Sequence, residues 1–384
     1  MKKTLIAVAA LTAAVGAMAD LKITGEVDTT VRLTDTGANS TTTVGRDGRG
    51  TTNVTFQGSE DLGDGLKAIF LYEHDFSPFE SNGVFLGGEK FAGLQGGFGT
   101  LRLGTPNAVV HNVNGAVRYG MFGTKDGGRA TAGGTTAGGT NVIGNDNTTG
   151  STSNTNSNTV KTVSLFGIAE TRYNSSIRYD SPSLSGLVVS LNYVPASEKT
   201  GNGKDGQATS SLIDAGAIFK TGGLTVAAAF NSRSEDESSA FHAAAAPTAA
   251  QTIAGAKRDY ITAGVAYDFG FATIGGGYHQ LSYDGDTLNT GYNVQATVPL
   301  SEALKLGLQY QTLTYDDKFE TYAKTLGGDE KQFAIGLDYS LSKNTAVYAR
   351  YISTSLDEKI KVVSSDVKAN DSVTTTLFGL SVKF

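Results

Sequence analysis

The chain has 384 residues, a formal net charge of −6 and no cysteine, which excludes a nucleic-acid binder by charge and a disulfide framework or thiolate metal site by composition. At 39% apolar residues it is not disordered by composition, yet 49 glycines and few long apolar runs do not suit one large solid core. A closed sheet with polar residues on one face fits both observations.

Residues 1–19 carry the pattern of a secretory signal peptide: Lys2 and Lys3 form a basic start, residues 5–15 an apolar and small-residue run, and Ala17-Met18-Ala19 a cleavage site. The mature chain is then expected over residues 20–384, with 29 basic residues against 37 acidic ones and a net charge of −8. No later run reaches the roughly 18 consecutive apolar residues of a spanning helix, so any passage through a membrane is made by strands.

Strict alternation begins at once. Leu21, Ile23, Val27, Val31 and Leu33 share one face, and Lys22, Thr24, Glu26, Asp28, Thr30 and Arg32 the other. The same period returns at Leu304, Leu306, Leu308 and Tyr310, at Phe333, Ile335, Leu337, Tyr339 and Leu341, and at Phe378, Leu380, Val382 and Phe384; sixteen such stretches are present. The connections alternate in length. Short ones fall at 62–65, 96–99, 181–186, 221–223, 268–271, 300–303 and 341–344. Long ones fall at 34–50, 76–88, 105–170, 195–210, 232–258, 316–330 and 356–370, with a shorter one at 284–287. Tight turns at one rim and long loops at the other predict an all-β, transmembrane antiparallel β-barrel of 16 strands, whose closure leaves no sheet edge exposed to lipid. Tyr72, Tyr179, Tyr193, Phe219, Phe230, Tyr267, Tyr310, Tyr339 and Tyr351 sit near strand ends in the apolar register, where aromatic girdles belong.

Residues 105–170 stand apart. These 66 residues show neither sustained alternation nor a helical apolar stripe, and a loop of that length is expected to be functional. We read it as the third long loop, folded into the lumen as a constriction.

Three passages resemble the trimeric general porins of Neisseria and Burkholderia type: EKFAGLQGGFGTLRLG (89–104), SSIRYDSPSLSGL (175–187) and the closing TTTLFGLSVKF (374–384). With the leader and the strand number, the resemblance spans the chain. Thr105 stands where that family often carries a basic residue, and Ser183-Leu184 where Glu-Phe is usual. The resemblance implies short periplasmic turns, long extracellular loops, surroundings of outer-membrane lipid and lipopolysaccharide, and a homotrimer latched by loop 76–88. It also implies passive diffusion of ions and small hydrophilic solutes.

The alternation places Lys22, Arg32, Lys67, Arg102, Arg172, Arg178, Lys220, Lys305, Arg350 and Lys383 on the lumen face, against Glu26, Asp28, Glu73, Asp180, Asp214, Asp268 and Asp338. Arg102, Arg172 and Arg178 flank the long loop, and within it Arg118 and Lys125 are the expected constriction cations, accompanied by His111, Tyr119, Asp126 and Arg129. Acids concentrate in outer loops, where charge further than about 8 Å from the ion path is screened, so a weak anion preference is expected despite the net charge.

Other classes fare worse. Catalysis would need an activated nucleophile or water, but the four histidines stand apart from any G-x-S-x-G elbow, no phosphate-cradling glycine loop is present, and NDNTTG (145–150) lacks the carboxylates of a calcium loop. No cofactor is expected. A β-solenoid would need a fixed repeat period. A substrate-specific outer-membrane channel is the alternative, with Tyr348 and Tyr260 as candidate lumen aromatics.

Overall fold

The computed structural model describes residues 21–35, 40–79, 87–118, 120–122, 172–195, 211–234, 257–319, 329–356 and 372–384. The expected signal peptide, Lys125 and most of the long loop lie outside them. The strands are β1 (Lys22–Asp35), β2 (Ser40–Arg46), β3 (Asn53–Gly63), β4 (Leu66–Asp75), β5 (Lys90–Gly96) and β6 (Gly99–Thr105). After the long loop come β7 (Ser176–Asp180), β8 (Leu187–Val194), β9 (Leu212–Thr221), β10 (Leu224–Ser234), β11 (Lys257–Asp268) and β12 (Thr273–Tyr283). The last are β13 (Asp286–Pro299), β14 (Leu304–Tyr315), β15 (Glu330–Ser340), β16 (Thr345–Leu356) and β17 (Ser372–Lys383).

Each strand pairs antiparallel with the next, except that β2 and β3 both pair with β1, and β17 pairs with β1 from Glu26↔Lys383 to Asp35↔Thr374, so the sheet closes. Gly25 and Phe384 complete the seam with two backbone hydrogen bonds of 3.0 Å. The seventeen segments make sixteen strands, because β2 and β3 both pair with β1 and are two parts of one strand. In hydrocarbon an unpaired backbone group has no water to turn to, which is why closure is obligatory.

The barrel is inside out relative to a soluble protein. Along β1, Ile23, Val31 and Leu33 are exposed while Glu26, Asp28, Thr30 and Arg32 are buried inward. Tyr72, Tyr179, Tyr193, Phe230, Tyr267, Tyr310, Tyr339 and Tyr351 all face outward, as their register predicts.

Two boundaries differ from the sequence reading. The expected first loop, 34–50, is largely strand: the β-branched run Thr41-Thr42-Thr43-Val44 pairs with Val31 to Thr34, and the break comes lower, at 47–52. At 284–287 the connection is a tight Asp284-Gly285 turn with φ of 49° and 88°, the left-handed pair that a two-residue hairpin requires.

Candidate functional site

The long loop begins with a helix that the sequence reading overlooked. Helix α1 spans Val109–Val117 and is followed by a 3-10 turn, Gly120–Phe122. Its signal was the spacing of Val109, Val110, Val113 and Val117, which forms one buried stripe. The stripe packs on the inner face of the wall against Leu212, Ala227, Ala229, Tyr260 and Ala266. Each buried valine contributes roughly 1.5 kcal/mol of hydrophobic stabilisation. Small wall residues let the helix approach: a Cβ on Gly264 would lie 2.6 Å from Val117 Cγ2. The described part of the loop therefore runs along the wall from β8 to β15.

Both ends of the helix are tied to strands. Ala108 supplies no side-chain cap at the N-terminus, and the buried carboxylate of Asp214 on β9 accepts instead from Val109 N at 2.5 Å and Val110 N at 3.1 Å. Two orphan donors and the positive end of the helix dipole are thereby satisfied. At the other end Arg118 is fully buried between loop and wall. Its guanidinium donates to Asn293 Oδ1 (3.0 Å), Asn114 Oδ1 (3.2 Å), Thr262 Oγ1 (3.1 Å), the Tyr260 hydroxyl (3.4 Å) and His279 Nδ1 (3.0 Å). A guanidinium cannot accept, so Nδ1 of His279 is the acceptor and its ring proton sits on Nε2. The Arg118 carbonyl accepts from the Asn293 amide as well. Arg118, expected to face the ions, faces the wall and anchors the loop.

The three arginines flanking the loop do come together. Arg102 and Arg178 are register partners on β6 and β7, and both ion-pair with one carboxylate, Asp180; the Arg178 Nη2 to Asp180 Oδ1 distance is 2.7 Å. Arg172 pairs with Glu73 at 3.3 Å and is bridged through its backbone to Asn107, which joins the two ends of the loop. Arg178 also donates to the Asn107 carbonyl. Glu89, which the sequence reading did not single out, accepts from the Asn107 backbone N–H and side-chain amide, each at 3.1 Å. Arg32 lies on a separate sector; among the described residues its Nε and Nη2 have no hydrogen-bond partner and no carboxylate pairs with it. The candidate lumen aromatics are both committed: Tyr348 donates to Asp28 at 2.5 Å, and Tyr260 stacks on His279 at 5.6 Å.

Burial pushes the Glu89 carboxyl above the usual carboxylate range, and the Asn107 N–H and the nearby Arg102, Arg178 and Arg172 only partly oppose it. Glu89 lies just before β5, so it titrates beside the arginines without belonging to a strand. As pH falls it loses its charge before an ordinary carboxylate does, leaving the cluster one unit more positive. Anion preference is therefore expected to rise as pH falls from neutral, and Glu89→Gln to flatten that rise; reversal potentials along a descending pH series check it.

A closed sixteen-stranded barrel with a loop bound to its inner wall and arginines at the loop's base is the architecture of a channel. The sequence profile of the family described as Gram-negative porin matches residues 5–359. The chain belongs to that family. This porin is 25% identical over 354 residues to the major outer membrane protein P.IB of Neisseria lactamica, covering 90% of this chain and 91% of that one. It is 28% identical over 358 residues to outer membrane porin protein 32 of Delftia acidovorans, covering 91% and 88%. Among solved structures, the anion-selective porin from Comamonas acidovorans superposes with a TM-score of 0.65 at 19% identity, over 95% of this chain and 99% of that one. The protein is an outer-membrane porin channel, in a family of channels rather than enzymes.

Proposed function

We propose that this porin lets ions and small hydrophilic solutes diffuse passively, with a weak preference for anions, through a constriction formed by Arg102, Arg172, Arg178 and Arg32 around the inward loop. The observation that carries the sign is the sharing of one carboxylate by two arginines, with Glu89, the further acid beside that cluster, pushed toward its neutral form by burial. Asp180 serves both Arg102 and Arg178, and Arg32 has no paired carboxylate among the described residues. Charge close to the ion path outweighs acids on a distant rim. The structurally similar porin of Comamonas acidovorans is described as anion-selective, which agrees with this reading. Lys125 is retained as a further loop cation, whereas Arg118 is reassigned from the ion path to the anchor. In a potassium chloride gradient across a planar bilayer, the reversal potential is expected to favour chloride modestly; a clear potassium preference would reject the sign.

The assembly we propose is a homotrimer, latched by loop 76–88 and embedded among outer-membrane lipid and lipopolysaccharide. The OmpT structure of Vibrio cholerae described as a trimer form superposes with a TM-score of 0.62 at 16% identity. The outward apolar face is continuous around the barrel and supplies the surface for such packing. On an unheated gel the detergent-extracted protein is expected to run as a trimer that collapses to monomer on boiling. A monomer-sized band before heating counts against the assembly.

A further inference from the structure

Between β2 and β3 the second strand leaves the wall. Pairing with β1 stops at Thr29↔Arg46 and resumes at Glu26↔Asn53, so two residues of β1, Val27 and Asp28, are faced by the six residues 47–52. The surplus folds inward. Asp28 accepts from Arg49 N at 2.7 Å and Gly50 N at 2.5 Å, and Thr52 Oγ1 bridges the Asp28 backbone with two contacts of 3.0 Å. Asp47 takes a φ of 63° and receives Thr52 N at 2.7 Å. Gly50 lets the excursion pack on the Glu26 carboxylate, which an added Cβ would displace.

The excursion presents two charged side chains, Asp47, which pairs with Arg46 at 2.9 Å, and Arg49. Arg49 Nε donates to Asp338 Oδ2 at 2.9 Å, and its Nη1 lies 3.5 Å from Ser381 Oγ and 3.9 Å from Glu26. Asp338 is also held by Arg350, at 2.5 Å, so one carboxylate bridges two arginines as Asp180 does. The parallel extends to exposure. Arg350 and Arg178 are sealed in, at 2% and 5%, while Arg49 and Arg102 remain open at 26% and 25%. Nη2 of Arg49 has no protein partner among the described residues, which leaves one edge of the guanidinium for a passing anion. Moreover, Phe122 at the end of the 3-10 turn lies 5.7 Å from the Arg350 guanidinium. The described part of the long loop covers the wall from β8 to β15, and the excursion covers the sector from β15 through β17 to β1; the two elements meet at Arg350 and Asp338.

We infer that residues 47–52 are a second constricting element of the lumen, and that Arg49 is a specificity-determining residue that contacts small inorganic and organic anions as they pass. This rests on the channel function and deepens the proposed anion preference. The sites are also separate: Arg49 acts on the β15–β1 sector, independent of the Arg102 cluster.

Chloride-over-potassium permeability ratios in a planar bilayer, with inorganic phosphate as a second anion, test the inference on the full-length protein. Arg49→Gln is expected to lower the ratio roughly two- to fourfold and to weaken phosphate block of the chloride current, while Arg49→Lys keeps most of both. An unchanged ratio in Arg49→Gln, or an equal fall in Arg49→Lys, overturns the role of Arg49, because a purely structural tether would behave so. If Arg49→Gln does not fold, Asp338→Asn carries the test: it releases both arginines and is expected to raise the ratio, and no rise overturns the inference. A potassium-preferring wild type rejects the general anion reading alone, since the shift between wild type and Arg49→Gln is read independently of that sign.

Discussion

Arg118→Ala is expected to increase single-channel conductance and open-channel noise while leaving the barrel intact. The side chain holds five wall and loop groups, namely Asn114, Tyr260, Thr262, His279 and Asn293, all in a region sealed from water. Each buried polar group left without a partner costs about 1–3 kcal/mol. Beyond this the loop is held by its valine stripe, the Asp214 cap, the Arg178 and Glu89 contacts at Asn107 and the Phe122 contact with Arg350, whereas the barrel wall is held by continuous backbone pairing that Arg118 does not touch. The loss therefore falls on the loop, which detaches at its Arg118 end and widens the lumen. Arg118→Lys should behave much like alanine, since an ammonium cannot present donors in the planar fork that reaches Asn293 and His279 together. Bilayer recordings give conductance, and heat-modifiable migration reports the barrel. Unaltered conductance in Arg118→Ala would show that the remaining contacts fix the loop without Arg118.

The second large effect concerns Asp180. Asp180→Asn removes the charge of the carboxylate with which Arg102 and Arg178 both pair, while its amide oxygen can still accept from Ser190 Oγ, which lies 2.5 Å from Asp180 Oδ1. Two guanidinium groups then stand without a paired carboxylate among the described residues, with Glu89 and Asp214 acting from further off. A unit charge about 5 Å from an ion is worth about 0.8 kcal/mol even at the dielectric of bulk water, which corresponds to on the order of a fourfold change in relative permeability. Chloride preference is expected to rise by at least that factor in a reversal-potential measurement. The converse change, Arg102→Gln, is expected to move the potential toward potassium. A selectivity insensitive to Asp180→Asn would place the Arg102 cluster outside the ion path.

Much of this was legible residue by residue. The period-two alternation of Phe333, Ile335, Leu337 and Tyr339 against Asp338 states which side faces lipid, because successive side chains on a strand point to opposite faces. Tight turns such as Asp64-Gly65 declare themselves through residues that tolerate positive φ. The helix in the long loop was legible too, in the four valines of VVHNVNGAV, but the glycine- and threonine-rich composition of the surrounding segment obscured it.

The partners of charged residues were not legible in this way. Arg118 and Arg102 look alike in sequence, yet one is buried against Asn293, 175 residues away, and the other opens to the lumen beside Asp180, 78 residues away. Arg49 meets Asp338 across 289 residues. By itself the sequence determined the strand period, the turn and loop asymmetry, the barrel and the outward aromatics, since each is a property of a few consecutive residues. Only the tertiary structure decided which arginine is anchored, which shares a carboxylate and where the second strand folds inward. Closing the barrel brings distant strands to one lumen, and the net charge at each point depends on which side chains that closure sets within reach of one another.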